Sequence, residues 1–278
     1  MRLIDTHQHL WDLDRLPYSW CAGNPVLNRS FRMADYLAAV AGLGVEKSVH
    51  VEADVDVAYQ LDETRALLAL AEEANPLAGV VACARPESPD FAAALAQISG
   101  HPKLKGLRRI LHTEPDAVGQ GELFRRHVAS LAGTGLTFDL CVLERQLPIA
   151  HSLVRATPGV QFILDHCGVP LVKERVLDPW RERIQSMAAL PNVVCKISGL
   201  VAYADLEGWT ADDLRPYVEH VIECFGWDRV LFGSDWPVCT LAASFGQWLA
   251  ALQSIVQDRS AAERQKLFYE NALRVYRL

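Results

Sequence analysis

Short runs rich in Val, Ile, Leu and Phe recur eight times along the chain, at residues 3–7, 47–52, 77–84, 104–110, 137–142, 161–165, 193–198 and 230–233, and segments of helical periodicity separate them. Most of these runs are almost continuously apolar, as parallel strands covered on both faces must be. A strand followed by a helix, eight times over, is the pattern of an α/β fold of the (β/α)8 or TIM-barrel type. Such barrels take about 250 residues, and residues 1–278 are expected to form a single barrel domain. Helices are expected over 34–43, 62–73, 90–98, 122–132, 147–155, 179–189, 214–225, 245–256 and 261–276. In 214–225 the residues Leu214, Tyr217, Val218, Val221, Ile222 and Phe225 fall at three/four spacing, one apolar stripe of a helix. Ser260 and Glu263 form a capping-box pattern at the start of the last helix. The longest irregular segment, 11–31, follows the first strand and carries Trp11, Tyr18 and Trp20, which predicts a long loop packed as a lid over the barrel mouth. A second loop is expected at 112–121.

Half the residues are hydrophobic, so a large core can be buried. The formal net charge of -7 argues against nucleic acid as a partner, because phosphate binding needs clustered Lys and Arg. No apolar run approaches the roughly 20 residues of a membrane span. The opening Met1-Arg2-Leu3-Ile4-Asp5 lacks the apolar stretch of a secretory signal, and a cytoplasmic location is expected. The seven cysteines are odd in number and include no CxxC pair, which predicts buried reduced thiols. Nothing beside Cys167 signals an activated thiolate.

Active sites of such barrels lie at the C-terminal ends of the strands. Strand one ends in His7 and His9, strand four carries Arg108 and Arg109 with His112 beyond, strand six ends in Asp165-His166, strand seven carries Lys196 and Ser198, and strand eight leads to Ser234-Asp235-Trp236. Residues i and i+2 of a strand share a face, so His7 and His9 can both point at one ion. Asp235 can join them only if the first and last strands are neighbours, which a barrel supplies. Three imidazoles and a carboxylate on one rim match a catalytic zinc site with an open water position. Such an ion lowers the pKa of its water to about 7. Asp235 is then placed to hold the metal, to take the water's proton, or both.

Each residue has a plainer reading. His-x-His alone is weak evidence, and His166 alone also suits a hydrogen-bonded core position. Lys196 stands in an otherwise apolar strand, where an unpaired ammonium is costly, which favours a role in the site. Arg108 makes a similar case, while the adjacent Arg109 must face the other way and find a carboxylate. Glu52, Glu144 and Asp139 read as structural partners. His50, His101, His127, His151 and His220 read as helix, loop or core residues.

The runs Asp5-Thr6-His7-Gln8-His9-Leu10-Trp11, Leu164-Asp165-His166-Cys167-Gly168, Cys195-Lys196-Ile197-Ser198-Gly199-Leu200 and Leu231-Phe232-Gly233-Ser234-Asp235-Trp236-Pro237 resemble those of the amidohydrolase superfamily, in the branch of the sugar-acid lactonases. Further echoes are Leu104-Lys105-Gly106-Leu107-Arg108, Leu143-Glu144-Arg145-Gln146-Leu147-Pro148 and the late Asn271-Ala272-x-Arg274-x-Tyr276, so the resemblance spans nearly the whole chain. It implies an amidohydrolase-like distorted (β/α)8 barrel that hydrolyses C–O or C–N bonds. It matches His7 and His9 to the first-strand pair, His166 to the sixth-strand histidine and Asp235 to the eighth-strand aspartate. The fifth strand lacks the histidine found in many members, and Lys105 is poorly placed for a bridging lysine, so one divalent ion is expected rather than two. Zinc is preferred and manganese is the alternative. Some relatives in the branch resemble lactonases that need no metal.

The reading that follows is a hydrolase opening the lactone ring of a sugar acid or related small carboxylate. Asp235, His166 and Lys196 are the expected catalytic residues. His7, His9, His166 and Asp235 are the expected metal ligands. Arg108 and Lys196 are expected to anchor substrate oxygens, and Trp11, Trp20 and Trp236 to stack on the sugar. The partner is a small molecule, with a homo-oligomer as an option and no role for nucleic acid or membrane. Metal-dependent decarboxylation or amide hydrolysis would use the same residues, and a barrel that only binds a ligand is the non-catalytic alternative.

Overall fold

The computed structural model describes residues 2–278. The eight apolar runs form β1 (Leu3–Gln8), β2 (Val45–Val51), β3 (Leu77–Cys83), β4 (Leu104–Ile110), β5 (Thr137–Cys141), β6 (Gln161–Leu164), β7 (Val193–Ile197) and β8 (Val230–Phe232). Each pairs in parallel with the next, giving one eight-stranded sheet in sequence order. β1 and β8 meet just past the end of β8. Gln8 bridges Trp236, the Asp235 N–H donates to His7 O at 2.7 Å, and the His9 N–H donates to Trp236 O at 2.7 Å. Inside the seam, Thr6 Oγ1 donates to Phe232 O at 2.6 Å. The Ser234 hydroxyl and N–H both donate to the Asp5 carboxylate, at 2.6 and 2.8 Å. The adjacency needed to join the two ends of the sequence is thus built from the same residues that carry the motifs.

The outer ring begins with α1 (Met33–Ala39), α2 (Gln60–Leu70), α3 (Phe91–Ala96), α4 (Asp116–Gln120), α5 (Glu122–Ala129) and α6 (Leu147–Ala156). It continues with α7 (Trp180–Ala188), α8 (Ala211–Phe225), α9 (Phe245–Ile255), α10 (Ala261–Gln265) and α11 (Asn271–Tyr276). α8 starts three residues before its apolar stripe because Thr210 and Asp213 close a capping box there. Ser260 and Glu263 do the same for α10, as the sequence pattern predicts. The loop expected at 112–121 contains α4, and the single helix expected over 261–276 is divided by a π-helical turn, Lys266–Glu270. That wider turn buries Leu267, Phe268 and Tyr269 in succession, which a single apolar stripe at 3.6 residues per turn does not do. No helix among the described residues is long and apolar enough to cross a membrane.

A large core lies between sheet and helices, and a second, smaller one fills the barrel. The inner core joins Ile4, Val49, Val51, Val81, Ile163, Val194 and Leu231 from the strands to Tyr269, Ala272, Val275 and Tyr276 from the last helical segment. Lys105 Nζ, at the start of β4, donates to Arg277 O, and the Arg277 guanidinium donates to Gly135 O just before β5. The end of α11 therefore stops the N-terminal mouth of the barrel. The opposite end is left for the site.

Candidate active site

The pairing of β1 with β2 steps from Asp5–Ser48 to Gln8–His50, so β1 carries three residues where β2 carries two. A bulge of this kind changes which side of a strand its residues face. Ile4 lies in the barrel core, whereas His7 and His9 lie at the rim facing Asp235. Asp235 and His166 sit just beyond their strands with φ of 58° and 52°, in the left-handed region. Such backbone persists in non-glycine residues only where surroundings over-determine it. Asp235 meets that condition: its N–H is held by His7 O, and its carbonyl accepts from the Cys239 N–H at 2.8 Å.

Asp235 Oδ1 lies 3.3 Å from His9 Nε2 and 3.7 Å from His7 Nε2. Ligating atoms of His7, His166 and Asp235 all fall within 4.8 Å of one another. The second nitrogen of each imidazole is occupied elsewhere. His9 Nδ1 donates to Val51 O at 2.7 Å, Ser198 Oγ lies 3.0 Å from His166 Nδ1, and Asp165 Oδ1 lies 3.4 Å from His7 Nδ1. Outer partners of this kind fix the tautomer of a metal-binding histidine and leave Nε2 as donor atom. Burial lowers the His7 pKa well below its ordinary value, helped by the Lys196 charge, and burial also lowers that of His166. Neutral imidazoles beside a carboxylate fit a divalent ion of the zinc type.

Beneath these residues runs a chain of buried charge. Lys196 Nζ donates to Asp139 Oδ2 at 2.6 Å and lies 3.2 Å from Asp165 Oδ1 and 3.4 Å from His7 Nδ1. Tyr276 OH reaches Asp139 Oδ2 at 3.4 Å from the stopper below. Arg108 donates from Nε to Glu52 Oε1 at 2.8 Å and from Nη2 to Glu52 O at 2.6 Å. Its Nη1 is 3.4 Å from His7 Nε2 and 3.5 Å from Asp165 Oδ2. Against complete burial, the Lys196 charge and then the neighbouring His7 hold Asp165 ionised, well below the usual carboxylate range, whereas burial raises Asp139 to about 6. Arg109 points the other way and binds Glu87 and Glu114 at 2.7 and 2.8 Å, as its alternation with Arg108 requires.

Three expected roles are corrected here. Lys196 has no exposed surface and two carboxylates already take its ammonium, so it positions Asp165 and His7 and does not reach a substrate oxygen. Trp11 is 3% exposed and enclosed by Tyr18, Trp20 and Phe31, and Trp236 is 3% exposed between Phe31 and Tyr36. Neither ring offers an open face to a sugar, because both support the long loop after β1. Asp165 was legible only as the end of a strand. Its signal was the one that singled out Lys196, a charge in an apolar run, and Asp139 in β5 carries the same mark. Tyr36, which donates to Asp5 Oδ2 at 3.0 Å, left no sequence signal.

The family model described as Amidohydrolase matches residues 4–278. An L-fucono-1,5-lactonase of Burkholderia multivorans is 37% identical over 289 residues, covering 99% of this chain and 96% of that protein. An L-rhamnono-gamma-lactonase of Scheffersomyces stipitis is 23% identical, covering 100% of this chain and 99% of that protein. A crystal structure of an amidohydrolase from Burkholderia multivorans with bound zinc superposes with a TM-score of 0.90 at 36% identity, covering all of both chains. With barrel, motifs and family model in agreement over nearly its full length, the chain belongs to the amidohydrolase family.

Proposed function

We propose that this chain is a hydrolase that opens the lactone ring of a sugar acid, or of a related small carboxylate, with water activated at the His7–His9–His166–Asp235 cluster. The observation that carries the reading is Asp235 Oδ1 at 3.3 and 3.7 Å from His9 and His7, in a chain 37% identical to a fuconolactonase from end to end. His7, His9, His166 and Asp235 are the residues that would hold a divalent ion, zinc by its donor set with manganese as the alternative; when bound, that ion supplies a Lewis acid and makes water a stronger nucleophile at neutral pH.

The residues divide the remaining work. Asp235 takes a proton from the attacking water as its oxygen bonds to the lactone carbonyl carbon. When the ring C–O bond breaks, the same carboxyl returns that proton to the leaving alkoxide, so the site is restored and the product is a hydroxy acid. Arg108 brings a fixed positive charge to the side of His7, where negative charge develops on the carbonyl oxygen. Lys196, clamped by Asp139, holds Asp165 and through it the orientation of His7. Ser198 holds His166 in turn.

The test is a panel of aldonolactones followed with a pH indicator, with and without chelator. Ring opening releases an acid proton at each turnover, whereas decarboxylation would release carbon dioxide and amide hydrolysis an amine. Asp235→Asn is expected to lower kcat by about 10²–10⁴-fold, the usual contribution of a positioned acid–base group. Full activity in that variant, or turnover only with carbon dioxide release, would refute the assignment. Loss of activity on chelation, restored by zinc, supports the ion as part of the machinery; indifference to chelation leaves Asp235 as the sole activator.

A further inference from the structure

Neighbouring side chains of an extended strand project to opposite faces. Asp165 and His166 are neighbours just beyond β6, yet both reach the same buried centre. Asp165 Oδ1 lies 3.4 Å from His7 Nδ1, and the His166 ring centre lies 4.5 Å from that of His7. The backbone accounts for this. His166, Cys167, Gly168 and Val169 have φ of 52°, 55°, 70° and 47°, so four consecutive residues are left-handed. Residues other than glycine visit that region singly rather than in runs, because Cβ crowds the following carbonyl oxygen. A β-branched residue such as Val169 is an outlier there. Strain of this kind clusters at functional sites and persists only where the surroundings over-determine it.

Contacts from three sides hold the turn. Within it, the Val169 N–H donates to His166 O at 2.9 Å. Toward the barrel, Cys167 Sγ lies 3.5 Å from Lys196 O on β7. Against α6, a Cβ on Gly168 would meet Leu147 Cδ2 at 2.9 Å, so the turn packs there without a side chain. From the outer helical layer, Trp180 at the start of α7 donates its indole N–H to Cys167 O at 2.8 Å. Trp180 is buried, with its ring centre 5.3 Å from those of Tyr217 and His220 on α8. A buried indole N–H needs an acceptor, and the middle of the left-handed turn supplies it.

We propose that Trp180 is a positioning residue for His166, acting through the left-handed turn. Its N–H locks the turn, and the locked turn keeps Asp165 and His166 facing one centre. Trp180 itself touches no reacting atom. Without its hydrogen bond the strained run relaxes toward ordinary backbone and carries His166 out of line with His7 and Asp235. Released strain offsets the lost hydrogen bond, so the cost falls on rate more than on stability. The kinetic consequence rests on the lactonase reading, whereas the conformational one does not.

The experiment compares Trp180→Phe with Tyr217→Phe in the same packed layer. The Tyr217 hydroxyl donates to Leu171 O and Val176 O at 3.2 and 3.3 Å, so its loss removes buried hydrogen bonds without touching the turn. Both variants and wild type are followed by lactone kinetics, thermal melting and amide hydrogen exchange. Trp180→Phe is expected to lower kcat by about tenfold or more with KM little changed, as a misplaced catalytic group does. Its Val169 amide exchanges faster by a similar factor while the β6 amides keep their wild-type rates, and its Tm falls no further than that of Tyr217→Phe. Tyr217→Phe keeps both kcat and the Val169 exchange rate. If the phenyl ring leaves the layer too loose to fold, Trp180→benzothienylalanine replaces the N–H by sulfur at nearly the same volume and carries the same expectations. Val169 exchange that is unchanged, or equally fast in Tyr217→Phe, overturns the lock. An unchanged kcat in a chain that opens lactones overturns the positioning role. A wild type that opens no lactone refutes the proposed function instead, and the exchange rates still decide the turn.

Discussion

Gly199 gives the sharpest test of how the site is held. It follows Ser198 at φ +67°, and a Cβ built on it meets His166 Nδ1 at 2.4 Å and Cγ at 2.9 Å. Ordinary van der Waals contact begins at 3.4 Å, so in Gly199→Ala the imidazole must retreat by about 1 Å. That movement also strains the 3.0 Å contact between His166 Nδ1 and Ser198 Oγ. A misplacement of about 1 Å in a catalytic constellation can cost about 10²-fold in rate, or about 2.7 kcal/mol of barrier. The left-handed backbone adds about 1–2 kcal/mol of strain for any side chain, which lowers Tm by roughly 2–8 °C in a chain of this size. Gly42→Ala separates the two effects. Gly42 has φ +75° and nothing within 4 Å of its Cβ position, so it carries the strain without the collision. Lactone hydrolysis and thermal melts of the two variants are the assay. Gly199→Ala is expected to lose about two orders of magnitude in kcat that Gly42→Ala retains, at similar cost in Tm. Equal activities would refute the claim that Gly199 is there to make room for His166.

Three further outcomes follow from the buried charges. Lys196→Met leaves Asp139 and Asp165 without their shared cation and is expected to destabilise by about 3–5 kcal/mol at pH 7. The deficit should narrow at pH 5 as Asp139 protonates, and a melt identical to wild type would show that the lysine is not structural. Asp5 is raised from 3.8 to about 6 because burial outweighs its hydrogen bonds from Ser234, His7 and Tyr36. Its neutral form is favoured in the fold, so its contribution to stability is full below pH 3.8 and is lost as pH rises toward about 6. At about 1.4 kcal/mol per pH unit, this amounts to about 3 kcal/mol, and denaturant melts of wild type and Asp5→Asn between pH 4 and 7 should differ in slope accordingly. Ser260→Ala removes the acceptor for the Glu263 N–H and should cost about 0.5–2 kcal/mol without altering turnover.

The barrel was legible because its strands are short, almost wholly apolar and separated by helices with readable stripes. The early imidazoles and the late aspartate were legible because strand ends are where such barrels place polar groups. What escaped was local geometry. The β1 bulge that separates the facing of Ile4 from that of His7 depends on pairing with β2, which a periodicity argument cannot see. Lys196 was correctly marked as an ammonium needing a partner, but the partners Asp139 and Asp165 come from two other strands and turn it from a substrate contact into a support. Trp11 and Trp236 illustrate the same gap: an aromatic residue near a site has two faces to fill, and here packing within the loop after β1 fills both.

Among the described residues, the helical stopper of Tyr269, Ala272, Val275 and Tyr276 fills the barrel beneath the site and leaves the reaction chamber a single door. Water, lactone and hydroxy acid must all pass the same rim, with no rear exit for the product. Each turnover then ends with the product in the doorway that the next substrate needs, so the opened acid should inhibit competitively, raising KM while leaving kcat untouched.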